Sequence, residues 1–199
     1  MSFSEAGRSG GGKRVKTVTR SFRINEEAFS ALEDEAKKRK MSANTLLNQL
    51  ILSFADFDRY FMKVGLMKIS SITLKKLIEG SSDDVIKKAA QTDATDVAPS
   101  IILAKHGKMT LETTFEYLQA LFEYAIPIEF EYNETQSPNG RIITIFHRFG
   151  KQGSIYMESF LKTLFERVGY SPKIRTTEHS VEFEIVSGRE RTVVDNSSF

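Results

Sequence analysis

The sequence predicts an α+β protein with a small N-terminal module and a larger C-terminal domain. Near the N-terminus, a short stretch of alternating apolar and polar residues precedes two helical patterns. Further helical patterns follow, and from Ile128 onward the apolar period changes from helical to two. The order helix, strand, strand, helix, strand favours an antiparallel sheet with helices on one face.

The composition limits the class of protein. Of 199 residues, 40% are hydrophobic and 27% are charged, which is enough for one full domain and a small one. The absence of cysteine excludes disulfides, thiolate catalysis and Cys-ligated metals, and it is consistent with a cytoplasmic location. No apolar run approaches the roughly 18 residues of a membrane span, so we expect no membrane contact. We predict a flexible basic arm over 1–16, the small module over 17–60, a helical then α+β domain over 61–186, and a tail over 187–199.

The first predicted element is a strand within residues 17–24. Phe22 and Ile24 fall on one face of a pleated segment. The other face is short, polar and basic, and consists of Thr17, Thr19, Ser21 and Arg23. The alternation puts Arg20 on the apolar side, so the strand either begins only near Ser21 or tolerates an arginine that reaches around.

Two short amphipathic helices are predicted next. Asn25 is a good N-cap, and the basic run 37–40 suits a last helical turn, so the first helix should end near Lys40. Ser42 caps the second helix, which we expect to continue through Phe57 towards Tyr60. Its apolar stripe consists of Leu46, Leu47, Leu50, Ile51 and Phe54.

This strand, helix and helix over residues 17–54 resemble the ribbon-helix-helix family of DNA-binding proteins, which includes the Arc and methionine repressors. In that family, the strands of two chains pair into an antiparallel ribbon that lies in the major groove. The resemblance implies that bases are contacted by Thr19, Ser21 and Arg23. It also implies that a DNA phosphate is bound at the start of the second helix, by Ser42, Ala43 and Asn44.

Basic residues are concentrated at this end of the chain. Residues 1–55 contain ten Lys or Arg and six Asp or Glu, a net charge of +4, and the whole chain carries +2, which leaves −2 for the rest. Phosphate binding favours such an excess. Arg20 is a further candidate for the DNA backbone. Lys13, Arg14 and Lys16 either form an arm on that backbone or belong to a flexible leader.

Helical patterns fill the first part of the C-terminal domain. We predict a helix over 71–80 that ends at Gly80, and a second that Ser82 opens. The stretch 92–100, which contains Pro99, is predicted as a polar break. Thr110 caps the clearest helix, whose apolar face consists of Phe115, Leu118, Leu121, Phe122 and Ala125.

Strand patterns fill the second part. Ile128, Phe130 and Tyr132 alternate with glutamates, and the turn signal 136–140 and a second apolar strand follow, which predicts a hairpin. A helix is expected over 155–169, after Gly150 and Gly153 break the strand. The final strand pattern has one apolar face, made of Val181, Phe183 and Ile185.

Other chemistry is weakly indicated. His106, His147 and His179 occur singly, without metal-ligand spacing, and the alternating glutamates of the strands are typical of a solvated face. The turn 147–154 enters a helix through glycines and could hold an anion, although it lacks the P-loop pattern and a tight connection is favoured. We therefore predict no catalytic residue, no metal and no cofactor.

The combined prediction is a homodimeric, sequence-specific regulator of transcription, such as a repressor, that binds double-stranded DNA. Its C-terminal domain would support dimerisation, higher assembly or the sensing of a small-molecule or protein effector. Two alternatives remain open. One is an antitoxin-like repressor with a protein partner, and the other is a small-molecule-binding module that uses the helical hairpin only to dimerise.

Overall fold

The computed structural model describes residues 17–65, 69–125, 130–137 and 140–186. The predicted α+β class is confirmed, because the structure combines helices with a four-stranded antiparallel sheet. The chain divides into two units, up to Leu47 and from Asn48. The predicted basic arm over 1–16 and the tail over 187–199 lie outside the described residues.

The predicted helical hairpin is confirmed. It consists of α1 (Glu26–Lys38) and α2 (Ala43–Ser53). The Asn25 side chain accepts a hydrogen bond from the Ala28 amide at 3.2 Å, and Ser42 Oγ accepts one from the Thr45 amide at 3.0 Å. Both predicted caps therefore satisfy amides that the helix itself leaves free.

The predicted N-terminal strand is wrong for the single chain. Residues 17–25 form no regular secondary structure, although their side chains are exposed as an edge strand's would be. A strand needs a neighbouring strand to take its backbone hydrogen bonds, and within the described residues none pairs with this segment. The alternation of apolar and polar residues therefore indicated a segment with two faces, but it did not indicate whether another strand pairs with that segment.

The helical path of α2 continues past Ser53, as predicted. A π-turn over Phe54–Asp58 is followed by α3 (Arg59–Phe61) and by a 3-10 turn over Met62–Val64. The Arg59 amide donates to the Phe54 carbonyl, five residues earlier. Such a π-turn holds one residue more than an α-helical turn.

The next helices are α4 (Ser71–Glu79), α5 (Asp83–Thr92) and α6 (Ala98–His106). Gly80 and Ser82 end and open helices as predicted, but the predicted polar break around Pro99 is wrong. A π-turn over Asp93–Val97 joins α5 to α6, and Pro99 lies in the first turn of α6, where a missing amide is tolerated. One small face, made of Ala90, Ala94 and Ala98, is fully buried.

Helix α7 (Leu111–Ala120) begins at the predicted cap, Thr110, which exchanges hydrogen bonds with Thr113. Phe115, Leu118 and Phe122 are buried as predicted. Ala125 is exposed instead, because a further π-turn over Leu121–Ala125 changes the helical phase.

The sheet consists of β1 (Phe130–Ser137), β2 (Gly140–His147), β3 (Lys173–Thr176) and β4 (Ser180–Val186), in the order β1-β2-β4-β3. All neighbours are antiparallel, so the predicted β1–β2 hairpin is confirmed, and Ile145 is paired with Tyr132 and Val181. The predicted Ile128 lies outside the described residues. Helix α8 (Gly150–Glu166) begins earlier than expected, because the two glycines lie in its first turns.

The core lies between α8, α7 and one face of the sheet. Phe165 of α8 contacts Phe115 and Phe183, with ring centroids 5.2 and 5.4 Å apart. Val181, Phe183 and Ile185 are buried, as their alternation predicted. Across the described ranges, no helix combines the length and apolar character that crossing a membrane requires.

Candidate nucleic-acid interface

The predicted base-contacting residues lie in the exposed segment 17–25. Thr19, Ser21 and Arg23 are all exposed, and no hydrogen bond or ion pair holds the Ser21 or Arg23 side chain within the described part of the chain. The Arg20 guanidinium donates to the Thr19 carbonyl at 3.0 Å. The segment therefore presents its polar groups to solvent, where an external acceptor can reach them.

Apolar side chains alternate with these polar ones and are equally exposed. Val18, Phe22 and Ile24 all face solvent, and Phe22 keeps 72% of its surface accessible. Burying a phenylalanine side chain is worth about 1.5–3 kcal/mol, so this surface is unfavourable in a single chain. It is the kind of surface that a partner covers.

The turn between α1 and α2 fixes the start of α2. Lys40 has a positive φ of 55°, its amide donates to the Lys37 carbonyl, and the Met41 amide donates to the Ala36 carbonyl at 3.0 Å. These are the paired hydrogen bonds of a left-handed helix terminus. Ala36 is the buried residue of α1, and Leu46 is the buried residue of α2.

The predicted phosphate contacts come together at this point. Ser42 Oγ accepts a hydrogen bond from the Thr45 amide. The amides of Ala43 and Asn44 have no acceptor within the helix, because they lie in its first turn. Two such amides and the positive end of the helix dipole favour an anion. Ser42, Ala43 and Asn44 form the cap and first turn of α2, and their binding of a phosphate stays a prediction. Lys13, Arg14 and Lys16 lie outside the described residues.

Neighbouring charges at the end of α1 are partly paired. Arg39 Nε lies 2.7 Å from Glu35 Oε1, and this hydrogen bond, together with the charge of Arg39, lowers the pKa of Glu35 below its ordinary value. Lys38 is also 4.0 Å from Glu35. Lys37 and Lys40 contribute further positive charge at the same end.

A second polar cluster, which the sequence did not predict, surrounds His147. The His147 Nδ1 accepts from the Phe149 amide at 3.4 Å, so its Nε2 carries the proton and donates to Ser154 Oγ at 2.9 Å. Ser154 donates in turn to the Thr177 carbonyl at 2.6 Å. A nucleophilic serine would instead donate to the imidazole, so this chain of bonds fastens the start of α8 to the loop before β4.

Burial decides the charge of this histidine. His147 is 5% exposed, and its burial lowers its pKa to about 4, with a smaller contribution from the nearby His179. It is therefore neutral at pH 7. The other two histidines have separate neighbours, Glu116 for His106 and Glu178 for His179, and the described residues contain no cluster of three or more potential metal ligands.

The glycines of the turn 147–154 serve close packing. Gly150 has a positive φ of 61°, and a Cβ on Gly153 would lie 2.5 Å from Phe149 Cβ and 3.0 Å from His147 Nδ1. The surface beside the turn carries both Lys151 and Glu178. This mixture of charges fits a tight connection better than an anion site.

A third polar contact lies inside the C-terminal unit. The Tyr156 hydroxyl donates to Asp93, the first residue of the π-turn between α5 and α6. Burial and the charge of Asp93 raise the pKa of Tyr156 and of the nearby Tyr117 well above the ordinary value. Both phenols are therefore neutral, and the contact anchors the π-turn to α8.

Comparison of this sequence with protein-family models and with curated proteins finds no match, so the assignment of the site rests on its residues and their geometry.

Proposed function

We propose that the protein is a homodimeric, sequence-specific DNA-binding regulator of transcription. In this proposal, the segments 17–24 of two chains pair into an antiparallel ribbon that enters the major groove. Thr19, Ser21 and Arg23 contact base edges, and the start of α2 binds a phosphate. In this proposal the protein acts in the cytoplasm, as its lack of cysteine favours.

The observation that carries the proposal is the two-faced exposure of segment 17–24. Phe22 and Ile24 lie exposed beside a capped helical hairpin whose own buried interior is only Ala36 and Leu46. A second copy would supply both the missing strand partner and the missing apolar cover. Pairing the apolar face inward leaves Ser21 and Arg23 outward.

The distribution of charge supports DNA as the ligand of that outward face. Residues 1–55 carry +4 and the remainder carries −2. The Arg23 guanidinium can donate two parallel hydrogen bonds to guanine O6 and N7, which makes it the strongest candidate for sequence preference. The C-terminal unit, with its own core, would support assembly or effector sensing.

The test is DNA binding by the full chain. An operator selected from random DNA is titrated by fluorescence polarisation at two salt concentrations. We expect Arg23→Ala to weaken operator binding by about 1–3 kcal/mol and to relax sequence preference. Arg175→Ala is the matched control, because Arg175 is an exposed arginine of β3, and it should bind like wild type.

Two outcomes contradict parts of this proposal. An equal loss on operator and random DNA would show that Arg23 contacts phosphate alone. If the wild-type chain shows no salt-dependent DNA binding, the proposed DNA ligand is wrong, because phosphate contacts always weaken with salt.

A further inference from the structure

Helix α2 carries an exposed apolar face just before its π-turn. Leu50, Ile51 and Phe54 are spaced so that they share one side of the helix. Each keeps about half of its surface accessible, at 53%, 51% and 53%. This face has no cover within the described residues.

The same helical path carries a buried apolar face at the end of the turn and just after it. Phe57, Tyr60 and Phe61 are buried in the core of the C-terminal unit. Phe61 stacks on Tyr117 with centroids 6.0 Å apart, and Phe57 lies 6.3 Å from Tyr124.

An ion pair fixes the turn itself. Lys105 Nζ lies 3.5 Å from Asp56 Oδ1 and donates to the Asp56 carbonyl at 3.1 Å. The Ser53 hydroxyl also donates to Asp58 Oδ2 at 3.2 Å. The contact with Lys105 and the hydrogen bond from Ser53 to Asp58 therefore hold the π-turn in place.

Helical geometry shows what the turn does to the two faces. Each α-helical residue advances the direction of its side chain by about 100°, so in a regular helix Phe54 and Phe61, seven residues apart, would point within about 20° of each other. The hydrogen bond from the Arg59 amide to the Phe54 carbonyl adds one residue to the turn. This extra residue separates the exposed Phe54 from the buried Phe61 by about 120°.

We infer that the π-turn over Phe54–Asp58 is a phasing element, which lets one helix pack into two different cores. Residues after the turn join the core of their own chain, and Leu50, Ile51 and Phe54 are turned outward to meet the same face of a second copy. This inference rests on the proposed homodimer. In a regular helix, the exposed face and the buried face would lie on the same side, so they could not pack into two different cores.

Changes of length at the turn test the inference in the full chain. Deletion of Ala55 removes the extra residue, so a regular helix then keeps Phe54 and Phe61 in their present relation. Insertion of one alanine after Ala55, with the π-turn retained, brings Phe54 and Phe61 to within about 20° of each other. The dimer dissociation constant is measured by sedimentation equilibrium, and near-UV circular dichroism monitors the core.

We expect the deletion to leave the dissociation constant within about threefold of wild type, and the insertion to raise it by about tenfold or more. If the deletion weakens the dimer as much as the insertion does, the phasing role is wrong. If the wild-type chain remains monomeric at all concentrations, the proposed homodimer is wrong and the inference falls with it.

A second measurement needs no change of length. The chain has no cysteine, so Ile51→Cys and Leu52→Cys each introduce a single thiol. The two positions are matched in exposure, at 51% and 44%, but point about 100° apart. Dimer formation should slow alkylation of the Ile51→Cys variant by about fivefold or more and leave the Leu52→Cys variant within about twofold. Equal protection, or protection of the Leu52→Cys variant alone, overturns the inferred face.

Discussion

Segment 17–24 and strand β4 have the same kind of sequence pattern and opposite environments. Phe22 and Ile24 alternate with polar residues, as Val181, Phe183 and Ile185 do. Phe22 is 72% exposed, whereas Phe183 is fully buried between β2, β3 and α8. Alternation therefore predicts that a segment has two faces, but it does not say whether the same chain or another one covers the apolar face.

The difference has a thermodynamic meaning. The core around Phe183 is built from its own chain, so the contribution of Phe183 to stability should not depend on protein concentration. In the proposed homodimer, Phe22 and Ile24 would be buried by the second copy, and their contribution to stability should rise with protein concentration. Each of the following predictions tests this contrast.

The largest expected effect comes from truncating the two phenylalanines. Phe183→Ala leaves a cavity in a packed core and should lower the free energy of unfolding by about 3–5 kcal/mol. Phe22→Ala should change the unfolding of the C-terminal unit by less than about 0.5 kcal/mol and weaken the dimer instead. Urea unfolding at two protein concentrations separates these effects. Similar losses of unfolding free energy in both variants would contradict the contrast.

Acidification should act on the C-terminal unit first, because residues 17–54 contain no histidine. Burial lowers the pKa of His147 to about 4, below its ordinary value of about 6.5 when unfolded. The unfolded state therefore binds the proton more readily, and the contribution of His147 to stability is complete above about pH 6.5 and is lost as pH falls towards 4.

Between pH 7 and 4, the wild-type protein should lose roughly 2–3 kcal/mol more unfolding free energy than a His147→Asn variant. Urea unfolding across this pH range measures the difference. Because the carboxylates are common to both proteins, parallel pH profiles would show that His147 contributes nothing to the pH dependence.

Close packing around Gly153 offers a smaller test within the C-terminal unit. The added Cβ of Gly153→Ala would overlap Phe149, so we expect a loss of about 1–3 kcal/mol in the free energy of unfolding. Gly80→Ala is the matched control, since its Cβ would approach no atom closer than 3.5 Å. Thermal unfolding of both variants is the measurement, and equal melting temperatures would contradict the packing described for Gly153.

The smallest effect is expected in the N-terminal module. Lys40 adopts a left-handed backbone that glycine adopts without strain, so Lys40→Gly should stabilise the protein by about 0.5–1 kcal/mol. Lys37→Gly, inside α1, should instead destabilise it by about 1 kcal/mol. Melting temperatures of the two variants at one fixed protein concentration test whether Lys40→Gly stabilises the protein and Lys37→Gly destabilises it. A lower melting temperature for Lys40→Gly would mean that Lys40 makes a compensating contact.

Features that depend on nearby residues were predictable from the sequence. Asn25, Ser42 and Thr110 cap helices because each side chain reaches an amide three residues away, a relation that spacing alone reveals. The buried face of β4 followed from alternation in the same way. The contacts of Ser21 and Arg23 with DNA stay predictions, because both faces of their segment are exposed.

Features that depend on distant residues were missed. The helix through residues 92–100 looked like a break because its buried face is made of alanines and because a π-turn accommodates Pro99. The bonds from His147 to Ser154 and from Ser154 to Thr177 join three elements, and no local pattern marks them. The strand over 17–24 was overpredicted because no described segment of the chain pairs with it.

The order of strands in the sheet has a consequence for synthesis on the ribosome. Strand β2 lies between β1, which precedes it directly, and β4, which follows only after α8 and β3. The β1–β2 hairpin can form once His147 has emerged, yet Ile143 and Ile145 lack their second neighbours until β4 arrives. At about 5–20 residues per second, the 39 residues from His147 to Val186 take about 2–8 s. For that interval, the nascent chain must keep one open apolar strand edge from pairing with a neighbouring chain.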